Sequence, residues 1–361
     1  MIVADQPRQR PPDAKLLIVD AQGRTSHASR STLIDRLRPG DLVVANDAAT
    51  LPASLDGVHA ATGARIEVRL AARRSLATHD VRWFSAIVFG AGDFHTRTED
   101  RPPPPLLVPG DLIMLGPLRA VVQRVLGHPR FVLLRFEDSP AAIWEGLARQ
   151  GRPIQYAYMT TPLELWDVWT PIAGPPVAFE PPSAGFALDW HALSEMRARR
   201  IGFATLTHAA GISSTGDPKL DARLPLDEPY VIPVSTAQAI RRTRAMRGRI
   251  VAVGTTVVRA LEDSAAINGA VPSGERVATL RIDSSTPLKV VDAILTGTHA
   301  PGSSHYALLA AFVDESTLKR MDRELDVRRY RTHEFGDSIL VERCANRIAA
   351  AGSCAKKLVA A

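Results

Sequence analysis

Two rhythms of apolar residues divide this chain. The first is a set of short unbroken runs: Leu16-Leu17-Ile18-Val19, Leu42-Val43-Val44-Ala45 and Ile250-Val251-Ala252-Val253. A strand that is apolar at every position is covered on both faces, as in the parallel sheets of α/β proteins. The second rhythm is alternation, from about Leu55 to Glu137. Ile66, Val68 and Leu70 share one side of a strand over residues 64–70, and further strands are predicted at 81–89, 111–115, 120–126 and 131–136. Gly- and Pro-rich turns separate them, which is the grammar of a small antiparallel β domain, a barrel.

Helical spacing frames these strands. A helix is predicted at 140–149 with Ile143, Trp144 and Leu147 on one face, and another at 189–200 with Trp190, Leu193 and Met196 inward. A helix capped by Ser235 runs to 247, a buried one spans 304–312, and a surface one spans 315–326. A short helical piece is expected at 31–37 and strands at 201–207, 278–282 and 290–295. Residues 1–13 read as a disordered arm, and Arg101-Pro102-Pro103-Pro104-Pro105 as a stiff extended spacer. The predicted fold class is α/β: a larger α/β domain, discontinuous over 1–54 and 138–345, carrying an inserted antiparallel β-barrel at 55–137. Residues 346–361 read as a C-terminal tail.

Composition narrows the setting. The 361 residues are 45% hydrophobic and 23% charged, the balance of an ordinary soluble protein with room for two cores. The net charge of +6 permits an RNA or phosphate partner without requiring one. Two cysteines, Cys344 and Cys354, build neither a zinc site nor a disulfide framework, and a reducing cytoplasm is the simplest setting. The start of the chain lacks the apolar stretch of a signal peptide, and no run reaches membrane-spanning length.

The stretch that draws attention is the run from Ile250 to Val253, its Gly254-Thr255-Thr256 turn, and the helix that follows with Arg259 and Glu262. Gly254 allows a sharp turn and close approach to a ligand. The threonines offer hydroxyls and a helix N-cap, and the helix start suits an anionic or polar group. The plain structural alternative is a capped strand-to-helix joint.

Joined to four other segments, this stretch resembles the S-adenosylmethionine:tRNA ribosyltransferase-isomerase family of queuosine biosynthesis. The segments are Arg38-Pro39-Gly40-Asp41-Leu42-Val43-Val44-Ala45-Asn46-Asp47, Pro182-Ser183-Ala184-Gly185, residues 251–262, residues 289–296 with His299, Pro301 and Ser303, and Tyr330-Arg331 with Phe335-Gly336-Asp337-Ser338. They stand in the family's order across nearly the whole chain. The resemblance implies the same fold, an α/β domain with an inserted barrel. It also implies a reaction, transfer and isomerisation of the ribosyl part of S-adenosylmethionine onto a 7-aminomethyl-7-deazaguanine base in tRNA. Adenine and methionine leave, and epoxyqueuosine-tRNA is the product. No metal or separate cofactor is implied, and the partners are S-adenosylmethionine and tRNA, with no membrane. A monomer in the cytoplasm is expected.

Such chemistry needs a proton acceptor near the activated ribose, groups to stabilise departing adenine, and a basic surface for the tRNA backbone. The resemblance makes His208, His299, Asp337 and Glu228 the catalytic candidates. Asn46, Asp47, Ser183, Gly185, Gly254, Thr255, Thr256, Arg259 and Arg331 are the substrate-binding candidates. Plainer readings stand beside these: Asp47 as a turn cap, His299 as a loop histidine, Arg259 paired with Glu262, and His305 and Tyr306 as packing.

The chain also departs from the family pattern inside the motifs. Ala48-Ala49-Thr50 follow Asp47 where the family has Thr-Arg-Val. Ala187 and Leu226 stand at family histidines, and Gly302 at a family lysine. Loss of such groups removes charge-assisted bonds or acid–base catalysis. Two further readings follow: a divergent paralogue with a different acceptor, or a non-catalytic RNA-binding descendant.

Overall fold

The computed structural model describes residues 1–266 and 269–344; Ala345, the expected tail and Cys354 lie outside them. Among the described residues, nine strands form one mixed sheet. Its order is Gly274–Ala278, Glu228–Ile232, Gly202–His208, Leu42–Asn46, Ile250–Val253, Ala293–Gly297, Ser338–Glu342, Lys15–Val19 and Thr25–Ser29. The central four, from Gly202–His208 to Ala293–Gly297, are parallel.

The unbroken apolar runs are explained by the two layers that cover this sheet. Ile250 and Ala252 pack into one core with Leu42, Val44, Val257 and Leu261. Val251 and Val253 pack into the other with Val43, Ala45, Leu188 and Met196. Side chains alternate across a strand, so an apolar residue at every position is what two covered faces require.

Six antiparallel strands close a separate barrel in the order Leu118–His128, Phe131–Phe136, Trp83–Phe89, Ala64–Arg73, Ser54–His59 and Leu112–Leu115. The α/β fold class with its antiparallel barrel thus agrees with the sequence. We propose that the barrel, entered near Leu55 and left near Glu137, is a unit inserted into the α/β domain. Its core reaches outward to Ile143, Leu147, Phe179 and Ile212. The alternation missed one strand, Ser54–His59, because Asp56-Gly57 interrupts it. Gly57 is required there: a Cβ would stand 2.5 Å from Leu115 Cδ2 and 2.6 Å from Met114 O.

Several local expectations are corrected. Residues 1–13 are not a disordered arm. Ile2–Val3 pairs in parallel with Arg331–Thr332, Ala4 is buried, and the Gln9 amide donates to the carbonyls of Trp166, Asp167 and Trp169. The 101–105 segment is more than a spacer. Arg101 is buried in an ion pair with Glu67 and donates to Gly90 O at 2.8 Å. Trp190 is 76% exposed, because it opens its helix and Ala192 and Met196 take the inward face. The helix expected to be capped by Ser235 begins at Val234, behind Pro233. The strand expected at 290–295 lies at Ala293–Gly297, because the Glu262 carboxylate takes the N–H groups of Lys289, Val290 and Val291. The strand expected at 278–282 lies at Gly274–Ala278. No helix among the described residues is long and apolar enough to cross a membrane.

Candidate functional site

The parallel strands end on one rim. His208, Asn46, Gly254 and Gly297 stand there, at the carboxyl ends where open α/β sheets hold ligands. A cavity of about 280 Å³ opens on this rim, near the lower end of the roughly 300–1,000 Å³ usual for small-molecule pockets. Its walls include Glu180, Ser183, Gly254 to Thr256, Glu228 and His299.

Gly254 makes the turn from strand to helix with φ +96°, and the Thr255–Ala265 helix follows without a side-chain cap. The threonine hydroxyls are therefore not spent on the cap that the sequence suggested, and both residues face the cavity. A Cβ at Gly254 would meet Ala184 Cβ and Thr256 Oγ1 at an ordinary 3.6 Å. The cost of Gly254→Ala is thus backbone strain alone, about 1–2 kcal/mol. We expect urea unfolding to show that loss, and donor binding to weaken as the turn shifts.

Behind the turn lies a buried charged cluster. Glu228 Oε2 accepts from His208 Nε2 at 2.9 Å and from Arg259 Nη1, and Oε1 accepts from Gly211 N at 2.6 Å. Burial pushes the Glu228 carboxyl up, but the hydrogen bond and charge of His208 and the charge of Arg259 prevail, so it titrates below its ordinary range. His208 Nδ1 faces Thr256 O at 2.8 Å. Both ring nitrogens are thus engaged, one by a carbonyl and one by a carboxylate.

This arrangement engages several of the candidates away from the cavity. His208 is fully buried and lies behind the cavity wall, with both ring nitrogens already engaged. Arg259 pairs with Glu228 rather than Glu262, and its other nitrogens donate to the carbonyls of Leu226, Ala278 and Leu280 at 2.8–2.9 Å. It therefore holds the wall and has no free fork for a phosphate or carboxylate. Asn46 is a buttress: its side chain accepts from Ala48 N and His208 N and donates to His208 O. Asp47 accepts from Thr207 Oγ1 at 2.6 Å and does not line the cavity. Gly185 is buried against Thr170, away from the cavity.

Asp337 and Arg331 lie elsewhere as well. Asp337 is 1% exposed and accepts from Lys15 N and Arg331 N at 2.8 Å, which ties the N-terminal strand to the 331 segment. Arg331 bonds Asp337 and Asp13. Neither lines the cavity.

His299 does line it. Its Nε2 is 2.7 Å from Thr296 Oγ1, and its ring is 4.9 Å from that of His305. Burial, then the neighbouring His305 and His333, hold His299 well below the usual imidazole range, and burial lowers His305 too. Both rings are neutral at neutral pH. His305 thus belongs to the cavity, although its apolar surroundings in sequence suggested packing.

The sequence reading passed over Glu180. It lines the cavity and accepts from the Tyr156 hydroxyl at 2.5 Å. Burial, then the charge of Glu334, raises its carboxyl to about 7. A carboxylate beside Phe179 in the otherwise apolar run from Pro176 to Pro182 was the available signal. Beyond Ser213, which lines both spaces, a second groove of about 500 Å³ holds Tyr156, Tyr158 and His333. The Tyr158 and His333 rings stack at 4.0 Å and 15°, with His333 in the left-handed region at φ +69°.

The departures from the family pattern fall into closed structure or open turns. Ala48 is buried among Val177, Ala178 and Ala209, and Leu226 packs against the barrel core. Gly302 sits in an exposed turn at φ +89°, with nothing within 4 Å of a Cβ.

The family of queuosine biosynthesis proteins matches residues 1–341. The S-adenosylmethionine:tRNA ribosyltransferase-isomerase of Pelobacter propionicus is 30% identical over 351 residues, covering 94% of this chain and 96% of that one. The enzyme of the same name from Azoarcus sp. is 32% identical over 349 residues, covering 95% and 94%. The crystal structure of S-adenosylmethionine tRNA ribosyltransferase from Thermotoga maritima superposes with a TM-score of 0.50 at 25% identity, over 94% of this chain and 96% of that one. The chain belongs to the queuosine biosynthesis protein family.

Proposed function

We propose that this protein transfers and isomerises the ribosyl part of S-adenosylmethionine onto 7-aminomethyl-7-deazaguanine in tRNA, giving epoxyqueuosine, without a separate cofactor. The observation that carries this reading is the cavity on the strand rim, where the family's Gly254-Thr255-Thr256 turn and His299 line one space of ligand size. The motif departures that favoured a changed acceptor or a lost activity leave this cavity's turn, histidine and carboxylates in place.

The geometry supports the following roles. Ser183, Gly254, Thr255 and Thr256 line the donor pocket with hydroxyl and backbone groups. Glu228, fixed by His208 and Arg259, holds the cavity wall and the Gly211 backbone in place behind the donor. Neutral His299 and His305 offer hydrogen bonds to the departing adenine without adding charge. Glu180 is the group able to exchange a proton near neutral pH. The Tyr158–His333 stack supplies π faces for the acceptor base, in the way single-stranded bases are held. An enzyme acting on tRNA works in the cytoplasm, and one chain carries every group named here, so the working unit is a monomer.

The test is incubation of the pure protein with S-adenosylmethionine and tRNA carrying 7-aminomethyl-7-deazaguanine, following adenine release. His299→Ala is expected to lower that rate by about 10²–10³-fold, the usual worth of one hydrogen bond aimed at developing charge. Release no faster than in His299→Ala would overturn the reading. Calorimetry with S-adenosylmethionine alone then separates a changed acceptor, which keeps the heat of donor binding, from an RNA-binding descendant, which shows none.

A further inference from the structure

A cleft of about 510 Å³ lies where the barrel meets the α/β layers. Arg73, Arg74 and Trp83 reach it from the barrel, and Arg223 and Arg281 from the opposite side. Four arginines thus face it, against one lining carboxylate, Asp227.

Arg73 is the unusual member. It is 4% exposed. Its Nη2 donates to Ala77 O at 2.8 Å and to Asp80 O at 3.4 Å, but Nε and Nη1 have no partner among the described residues. Buried polar groups are almost always satisfied, and a buried cation without a partner is costly. Asp80 and Glu275 act on Arg73 only at a distance, and Glu275 is engaged by Leu76 N at 3.1 Å. Arg73, which lines the cleft, thus keeps two buried donors idle and has no contacting anion among the described residues.

The other arginines are held in place around it. Arg74 lies over the Trp83 ring at 5.4 Å. Arg223 lies over Phe131 at 4.9 Å and donates to Leu126 O at 2.8 Å. Arg281 donates to Arg223 O at 2.5 Å and lines both this cleft and the donor cavity. Guanidinium groups beside an aromatic face suit a compact anion with several acceptor oxygens, which is a phosphate.

We propose that this cleft binds a phosphodiester of the RNA acceptor, with Arg73 as the buried anchor and Arg74 at the rim. The source of the phosphate rests on the function proposed above. The site itself rests on Arg73, and its place beside the cavity lets one RNA chain reach both.

Filter binding of a tRNA transcript between about 50 and 200 mM salt tests this. Arg73→Met and Arg74→Ala are each expected to weaken binding and to reduce the slope of log K against log salt by about 0.9, one lost phosphate contact. Neither residue lines the donor cavity, so calorimetry with S-adenosylmethionine should give wild-type affinity. Arg74 is exposed, so its variant keeps the test open if Arg73→Met does not fold. Wild-type salt slopes in folded variants would overturn the proposal. So would protection of the wild type by inorganic phosphate that Arg73→Met lacks, combined with unchanged RNA binding, since the site would then serve a free anion. Absence of adenine release would instead defeat the functional reading and leave these slopes as they are.

Discussion

Glu228→Ala is expected to cost about 3–5 kcal/mol of stability and to remove adenine release, because it strands two buried donors. Arg259 keeps its three carbonyl partners but loses its counter-charge, and His208 keeps only Thr256 O. Breaking a buried pair from one side is costly in this range, because the remaining charge stays out of water. Gly211 N also loses its acceptor. Urea unfolding at pH 7 measures the loss, and a change under about 1 kcal/mol would show that the cluster is not coupled as the geometry implies. Glu228→Gln keeps the shape, loses the charge and turns an NH₂ toward donors, so it should fall between the wild type and alanine. The pH dependence has a definite sign. The folded Glu228 titrates below its ordinary value of 4.5. Its stabilisation is therefore complete above about pH 4.5 and is lost as pH falls from there through the folded value. The glutamine variant should lack that acid limb.

The contrast between Glu228 and the Gly254 turn shows what could be read in advance. The central strands were legible because burial on both faces leaves an unmistakable run, and Gly254 because a left-handed turn admits few residues. The polar edge strand Thr25–Ser29 left no such trace, and Gly57 hid a barrel strand by breaking its alternation. The site was legible as residue types and illegible as partnerships. Arg259 meets Glu228, 31 residues away, rather than Glu262 on its own helix. Motif position put Asp337 in the site, yet its carboxylate is consumed by backbone N–H groups and Arg331. His208 lies behind the wall because its strand alternation points it toward Glu228, on the neighbouring antiparallel strand. Such pairings depend on register across the sheet, which single-chain patterns do not carry.

Glu180→Gln is expected to remove a titration near pH 7 from both activity and stability. Two of the cavity carboxyls are pushed in opposite directions: Glu228 down by its cationic neighbours, Glu180 up to about 7 by burial and by Glu334. Carboxyls separated in this way divide the labour of fixed charge and proton exchange. Between pH 4.5 and about 7, folded Glu180 holds a proton that the unfolded chain has released. The folded state binds more protons there, so stability falls as pH rises across that window, by about 3 kcal/mol for a shift of this size. The slope is opposite in sign to that of Glu228 and lies in a different range, so the two are separable by unfolding at stepped pH. In the rate of adenine release, a limb near pH 7 should belong to Glu180 alone, because His299 and His305 are held below the usual imidazole range. Glu180→Gln should therefore flatten that limb and lower the rate, while donor affinity changes little. Survival of the limb in the variant would place the titrating group elsewhere. Loss of the stability slope without loss of the limb would reduce Glu180 to a buried structural acid.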